Sequence, residues 1–107
     1  MKIYFVTCIG YTASHLNEID LRKGKLRARC WGWYSDLDKA KEHTRDNVTD
    51  IAEDGYYNYA VIEDVSEEML PLDTKEIQWY KYDKGSNKYE ECEKPKWSDT
   101  TINWSIS

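Results

Sequence analysis

Apolar and polar positions alternate between two periods along this chain. Lys2–Ile9 (KIYFVTCI) is a nearly continuous apolar run, the pattern of a central strand covered on both faces. Gly10–Gly24 is polar and mixed and reads as a long loop or an irregular hairpin arm. Leu26–Tyr34 (LRARCWGWY) alternates strictly, which places Arg27, Arg29, Trp31 and Trp33 on one face and Ala28, Cys30, Gly32 and Tyr34 on the other.

The period then lengthens. Leu37, Ala40, Thr44, Val48, Ile51 and Ala52 recur at steps of three and four, predicting one amphipathic helix of about five turns. Ser35 is the expected cap, its hydroxyl accepting from the N–H of Asp38, and Gly55 is the expected stop. Asp38, Glu42, Asp46, Asp50 and Asp54 form an acidic row on this segment; like charges four apart repel, so the row is expected to face water.

Beyond the helix the two-residue period returns. Tyr56–Val65 predicts a strand with Tyr57, Tyr59, Val61 and Val65 on one face, followed by a turn over Ser66–Asp73 around Pro71. Lys75–Asp83 and Lys88–Lys94 predict two strands joined by Lys84–Asn87, a Gly-containing loop of hairpin length. On the first of them Ile77 and Trp79 would share one face, with Tyr80 and Tyr82 on the other. Thr100–Ile106 adds a possible last strand. There is no internal repeat and no linker. The expected fold is α+β: one domain over 1–107, with a mostly antiparallel sheet of four to six strands in the order ββαβββ(β) and one long helix on one face.

Composition narrows the class. The chain has 107 residues with five Trp, nine Tyr and one Phe, far too aromatic for a disordered protein. No apolar run approaches the ~20 residues of a membrane span, and Met1–Gly10 lacks a signal-peptide pattern. A formal net charge of -5 argues against general nucleic-acid binding. The three cysteines, Cys8, Cys30 and Cys92, are widely spaced without a CxxC pair, which fits free thiols in a reducing cytoplasm and no zinc site. The sequons at Asn47 and Asn103 read as chance matches. There is no GxSxG elbow, HExxH, glycine-rich phosphate loop or paired-histidine pattern, so catalysis and cofactors are not expected. A nucleophilic pairing of Cys8 or Cys30 with His15 or His43 is open to any small protein with these residues.

Charge distribution says more than net charge. Met1–Tyr34 carries six basic residues against two acidic, whereas Ser35–Ser107 carries nine against eighteen. Five of the nine positions in Leu21–Arg29 are Lys or Arg, and the run leads directly into Trp31 and Trp33. Guanidinium groups grip phosphate oxygens in bidentate fashion and indoles offer a stacking face for a base, which are the two parts of a nucleotide site. The candidate ligand-binding residues are therefore Arg22, Lys25, Arg27, Arg29, Trp31 and Trp33, with Tyr57, Tyr59 and Trp79 as further stacking faces. The plainer reading is a solvated basic arm drawn to the acidic helix, with tryptophans in the core. One helix cannot cover a five-stranded sheet, so an uncovered aromatic face would point to homo-oligomerisation.

The segments DGYYNYAVIEDV (54–65), KEIQWYKYD (75–83) and KYEECEKP (88–95) resemble a set of short proteins from bacteriophages and Gram-positive bacteria. That set shares a YYNYAVIE…EIxWYK…KYExxEKP skeleton, and the likeness covers roughly residues 31–95. It implies the same fold and a phage origin. Small phage proteins without a catalytic motif often counter host defence, one strategy being a sponge that sequesters a cyclic oligonucleotide or cyclic ADP-ribose type of immune signal. The resemblance thus implies a cytoplasmic, oligomeric nucleotide binder in the infected cell, acting without turnover. The alternatives are an acidic protein–protein inhibitor of a host defence or nucleic-acid-handling enzyme, steered by the negative field of the last two thirds of the chain, and then a small nucleotide-processing enzyme whose site is assembled from Asp, Glu and Tyr residues.

Overall fold

The computed structural model describes residues 2–12, 25–66 and 75–96. They form β1 (Lys2–Thr12), β2 (Lys25–Tyr34), α1 (Leu37–Arg45), β3 (Tyr59–Ser66), β4 (Lys75–Asp83) and β5 (Lys88–Cys92). The five strands make one antiparallel sheet in the order β2-β1-β3-β4-β5, and α1 packs on one face. The expected α+β architecture is the observed one. Thr100–Ile106 and most of Gly10–Gly24 and Ser66–Asp73 lie outside the described residues. No described helix is long and apolar enough to cross a membrane.

The apolar run of β1 is hydrogen-bonded on both sides and buried on both faces. Val6 and Cys8 join Ala60, Ile62, Tyr80 and Tyr89 under α1, while Ile9 joins Val61 and Trp79 on the opposite face. The middle of that second face is not the uncovered aromatic surface its composition suggests: Ile9 and Val61 are fully buried and Trp79 nearly so. Among the described residues only Trp33 and Tyr56 are large apolar side chains left exposed.

Two single-residue bulges change which side chains share a face. Val6 pairs with Gly32 but Thr7 pairs with Cys30, so Trp31 is an extra residue in β2. Cross-strand partners point to the same side of a sheet, and an inserted residue reverses the alternation beyond it. Arg27, Arg29 and Trp31 therefore lie on the α1 side, but Trp33 sits opposite Phe5 on the other face. Likewise Ile62 pairs with Gln78 and Glu63 with Glu76, leaving Ile77 as the extra residue of β4. Ile77 packs in the cluster under α1 and Trp79 in the cluster opposite, not on one face together.

The helix is shorter than its apolar spacing predicts. It ends at Arg45, and Asn47, Thr49, Asp50, Glu53 and Asp54 then take φ values of 47–59°. The left-handed turn at Asn47 terminates α1, with Val48 N–H donating to His43 O and Asn47 N–H to Thr44 O. Asn47, Thr49 and Asp50 carry short polar side chains that compete with helical hydrogen bonds. The Asn47 carboxamide does so, accepting from Ala52 N–H at 2.8 Å and donating to Asn87 O at 3.1 Å. Ile51 and Ala52 still reach the core, through tight turns instead of a continuing helix. The acidic row is solvent-facing as expected, on α1 and the turns after it.

Asp36, not Ser35, caps α1: its carboxylate accepts from Asp38 N–H at 2.9 Å and Lys39 N–H at 3.4 Å. Asp36→Ala is expected to lower stability by about 1 kcal/mol and Ser35→Ala by less than about 0.5 kcal/mol, read from urea midpoints. Equal losses would return the cap to Ser35.

Candidate functional site

Residue Asn58 builds the site by continuing the sheet with its side chain. The last backbone pair between β1 and β3 is Ile9 with Tyr59. One step on, the Asn58 carboxamide accepts from Tyr11 N–H and donates to Tyr11 O, both at 2.9 Å, in the manner of a peptide group. Its own carbonyl accepts from Tyr82 N–H at 2.9 Å. This clamp holds residues 55–57 across the end of β1, where the side chain of Gly10 would otherwise stand. A Cβ on Gly10 would lie 2.6 Å from the Tyr56 carbonyl oxygen and 3.2 Å from a terminal nitrogen of Arg27.

The Arg27 guanidinium occupies the remaining space. It lies against Gly10 and 4.0 Å from the centre of the Tyr56 ring, a cation–π contact that contributes about 0.5–2 kcal/mol. Arg27 has no ion-pair partner among the described residues, and its Nε is buried without a hydrogen-bond acceptor. Arg29 follows on the same face and meets Glu53 at 3.5 Å, an exposed pair that constrains it weakly. Tyr56 meets Tyr57 edge to face at 4.9 Å, and Tyr57 is fixed through its carbonyl, which accepts from the Tyr89 hydroxyl at 2.6 Å.

The nine candidate residues therefore separate. Arg27, Arg29, Trp31 and Tyr57 are on the α1 side; Trp33, Tyr59 and Trp79 are on the other face and join no common site with them. Lys25 begins β2 opposite Thr12, and Arg22 lies outside the described residues. The plainer reading holds for part of the set: Arg29 is drawn to an acid of the segment after α1, and Trp31 packs against the core. Sequence alternation missed Tyr56, Gly10 and Asn58, because it started the strand at Tyr56 and so made Tyr57 and Tyr59 the face that mattered. The strand begins at Tyr59, and the Asn58 turn presents Tyr56.

Of the residues open to a nucleophilic pairing, His15 lies outside the described residues, and Cys8, Cys30 and His43 do not meet as one. Burial pushes the Cys8 thiol up to about 11, against smaller opposing effects of a backbone hydrogen bond and Arg29. Its Sγ donates to Arg29 O at 3.3 Å. Burial also raises the exposed-edge Cys30, and Glu63 adds to that. His43 Nδ1 meets the Tyr34 hydroxyl at 3.0 Å and neither cysteine. Among the described residues no three acids, histidines or cysteines converge as a metal centre requires.

Compared with family models, curated proteins and solved structures, the chain matches none.

Proposed function

We propose that this chain binds a nucleotide-derived signal, of the cyclic oligonucleotide or cyclic ADP-ribose type, and withholds it without turnover, as a phage protein countering host defence. The observation that carries the reading is Arg27. Its guanidinium lies between Gly10 and a half-exposed Tyr56, with no acid on it among the described residues. A pre-oriented guanidinium beside an aromatic face suits a phosphate carried next to a base, and Arg29 adds a second cation. The site works in the infected cell's cytoplasm in this reading, as part of a homo-oligomer.

Thermal melting against cyclic di- and trinucleotides and ADP-ribose derivatives tests it, since a ligand of the folded state raises the melting temperature. One compound is expected to give a clear shift and to be recovered intact by chromatography. Arg27→Ala with Arg29→Ala should weaken it ten- to a hundredfold, about 1.4–2.8 kcal/mol. A panel without a shift, or an unchanged affinity in the double variant, overturns the reading.

A second reading has its own observation. Asp36, Asp38, Glu42, Asp46, Asp50 and Asp54 are all exposed on α1 and the turns that follow. Such a surface suits steering toward a basic protein, and hence inhibition of a host enzyme. Capture of a protein partner that falls steeply with salt, with no nucleotide affinity, would decide for it.

A further inference from the structure

The two edges of the sheet are unlike. β5 is five residues long, carries exposed Glu90 and Glu91, and is followed by exposed Glu93 and by Pro95. Short length, like charge and proline are devices that stop an edge from pairing. β2 is ten residues long, and among the described residues its only hydrogen-bonded neighbour is β1. Along it Ala28, Arg29, Cys30 and Trp33 are exposed, Trp33 at 64%.

The β2 sequence is also divided, with its arginines before Cys30 and its tryptophans after it. Parallel pairing of two such strands in register sets arginine against arginine. Antiparallel pairing about a two-fold axis brings the basic half of each strand alongside the aromatic half of the other, and the bulge at Trp31 limits same-face pairs of arginine and tryptophan to Arg29 with Trp31. Hydrogen-bonded and non-hydrogen-bonded pairs alternate along an antiparallel ladder, so the axis must fall between a residue and its own copy. An axis at Arg29 opposes two like charges. An axis at Cys30 places Arg29 beside the partner's Trp31, both on the α1 face, where cation and ring attract.

We infer that the β2 edge is the interface of a two-fold dimer, with a second copy of this chain paired about Cys30. The axis runs through the sheet, so two five-stranded sheets become continuous and both copies of α1 lie on one side. The two Arg27–Tyr56 stations then face the same way across the axis. A two-fold-symmetric ligand carrying two phosphates has a place between them, a consequence that rests on the proposed function, whereas the dimer itself does not.

The experiment uses the purified full chain without ligand. Sedimentation equilibrium should give twice the chain mass of 12.7 kDa, and Cys30→Arg, which crowds cations at the axis, should weaken association at least tenfold. On the native chain, copper phenanthroline with oxygen should join Cys30 to its copy. The two thiols lose two electrons to the oxidant and two protons to solvent as the S–S bond forms, and Cys30→Ser should abolish the product. Opposed residues of an antiparallel pair lie about 4.5–5.5 Å apart at Cα, within disulfide reach. The crosslink keeps the test decisive if Cys30→Arg does not fold. A monomer at high micromolar concentration, or a dimer that neither forms the Cys30 crosslink nor responds to Cys30→Arg, overturns the inference. A monomer that binds a nucleotide overturns the dimer, and with it the homo-oligomer of the proposed function, but leaves the ligand reading; a Cys30-linked dimer that binds none overturns only the ligand reading.

Discussion

Gly10→Ala is expected to destabilise the protein by about 2–3 kcal/mol and to break the Arg27–Tyr56 stack, while Gly32→Ala leaves it as stable or up to about 1 kcal/mol more so. The two glycines sit on neighbouring strands with ordinary backbone angles, so conformational freedom does not separate them. Space does. The first atom a Cβ on Gly10 meets is a backbone oxygen at 2.6 Å, and that oxygen has nowhere to go. Tyr56 N–H is held by Glu53 O at 3.1 Å, and two residues later Asn58 is tied to Tyr11 at both ends of its carboxamide. Either β1 shifts or the 55–57 segment lifts, and lifting removes the ring from Arg27. Around Gly32 a Cβ meets nothing within 4 Å. Urea unfolding of both variants measures the difference, and the fluorescence of any bound nucleotide analogue reports the stack. Equal stability of Gly10→Ala and the parent would mean that the Tyr56 carbonyl does not cover Gly10.

The sheet was largely legible in the sequence because its strands carry strong local signals. Lys75–Asp83 is found with its predicted ends, and the loop Lys84–Asn87 turns where expected, with Asn87 at a φ of 58°. The doubly buried β1 announces itself as a continuous apolar run. What failed was phase. A bulge adds one residue without changing composition, so Trp31 and Ile77 look like ordinary strand positions while every side chain beyond them changes face. The same blindness affects the helix. Val48, Ile51 and Ala52 keep a helical spacing, yet Ile51 and Ala52 reach the core through turns that start at Asn47. Asn47, Thr49 and Asp50 were the available warning, three residues with side chains suited to ending helices.

The candidate site was half legible for a related reason. Local charge picks out Arg27 and Arg29, but Gly10, Tyr56 and Asn58 matter through pairings 29 to 47 residues apart along the chain, which no local pattern contains. The tryptophans that drew attention next to the arginines serve other purposes: Trp31 fills the bulge against the core, and Trp33 faces outward on the far side of the sheet edge.

Raising the pH above 9 should unfold this protein steeply, with about 4–6 kcal/mol of stability gone by pH 11. Burial under α1 holds Cys8 at about 11 instead of 9.0 and Tyr80 at about 12 instead of 10.0. For Tyr80 the nearby Glu91 adds to the effect, and Arg45 partly offsets it. Burial, first among its causes, raises Tyr89 as well. Below pH 9 all three groups are protonated in both states, and stability does not depend on them. Above it the unfolded chain releases protons that the folded chain keeps, first from Cys8 and then from the tyrosines. Each group then removes about 1.4 kcal/mol per pH unit until its folded-state value is reached, near 11 for Cys8 and near 12 for Tyr80. Total stability of a domain this size is about 5–15 kcal/mol, so the loss is enough to cross the unfolding transition. Tyr80→Phe isolates one share of it. The Tyr80 hydroxyl is buried without a hydrogen-bond partner, so its removal should cost little at pH 7. Between pH 10 and 12 the same variant should lose stability with one proton less of slope. Urea midpoints from pH 8 to 12 supply the comparison, and a parent protein equally stable across that range would show that these groups ionise freely in the folded state.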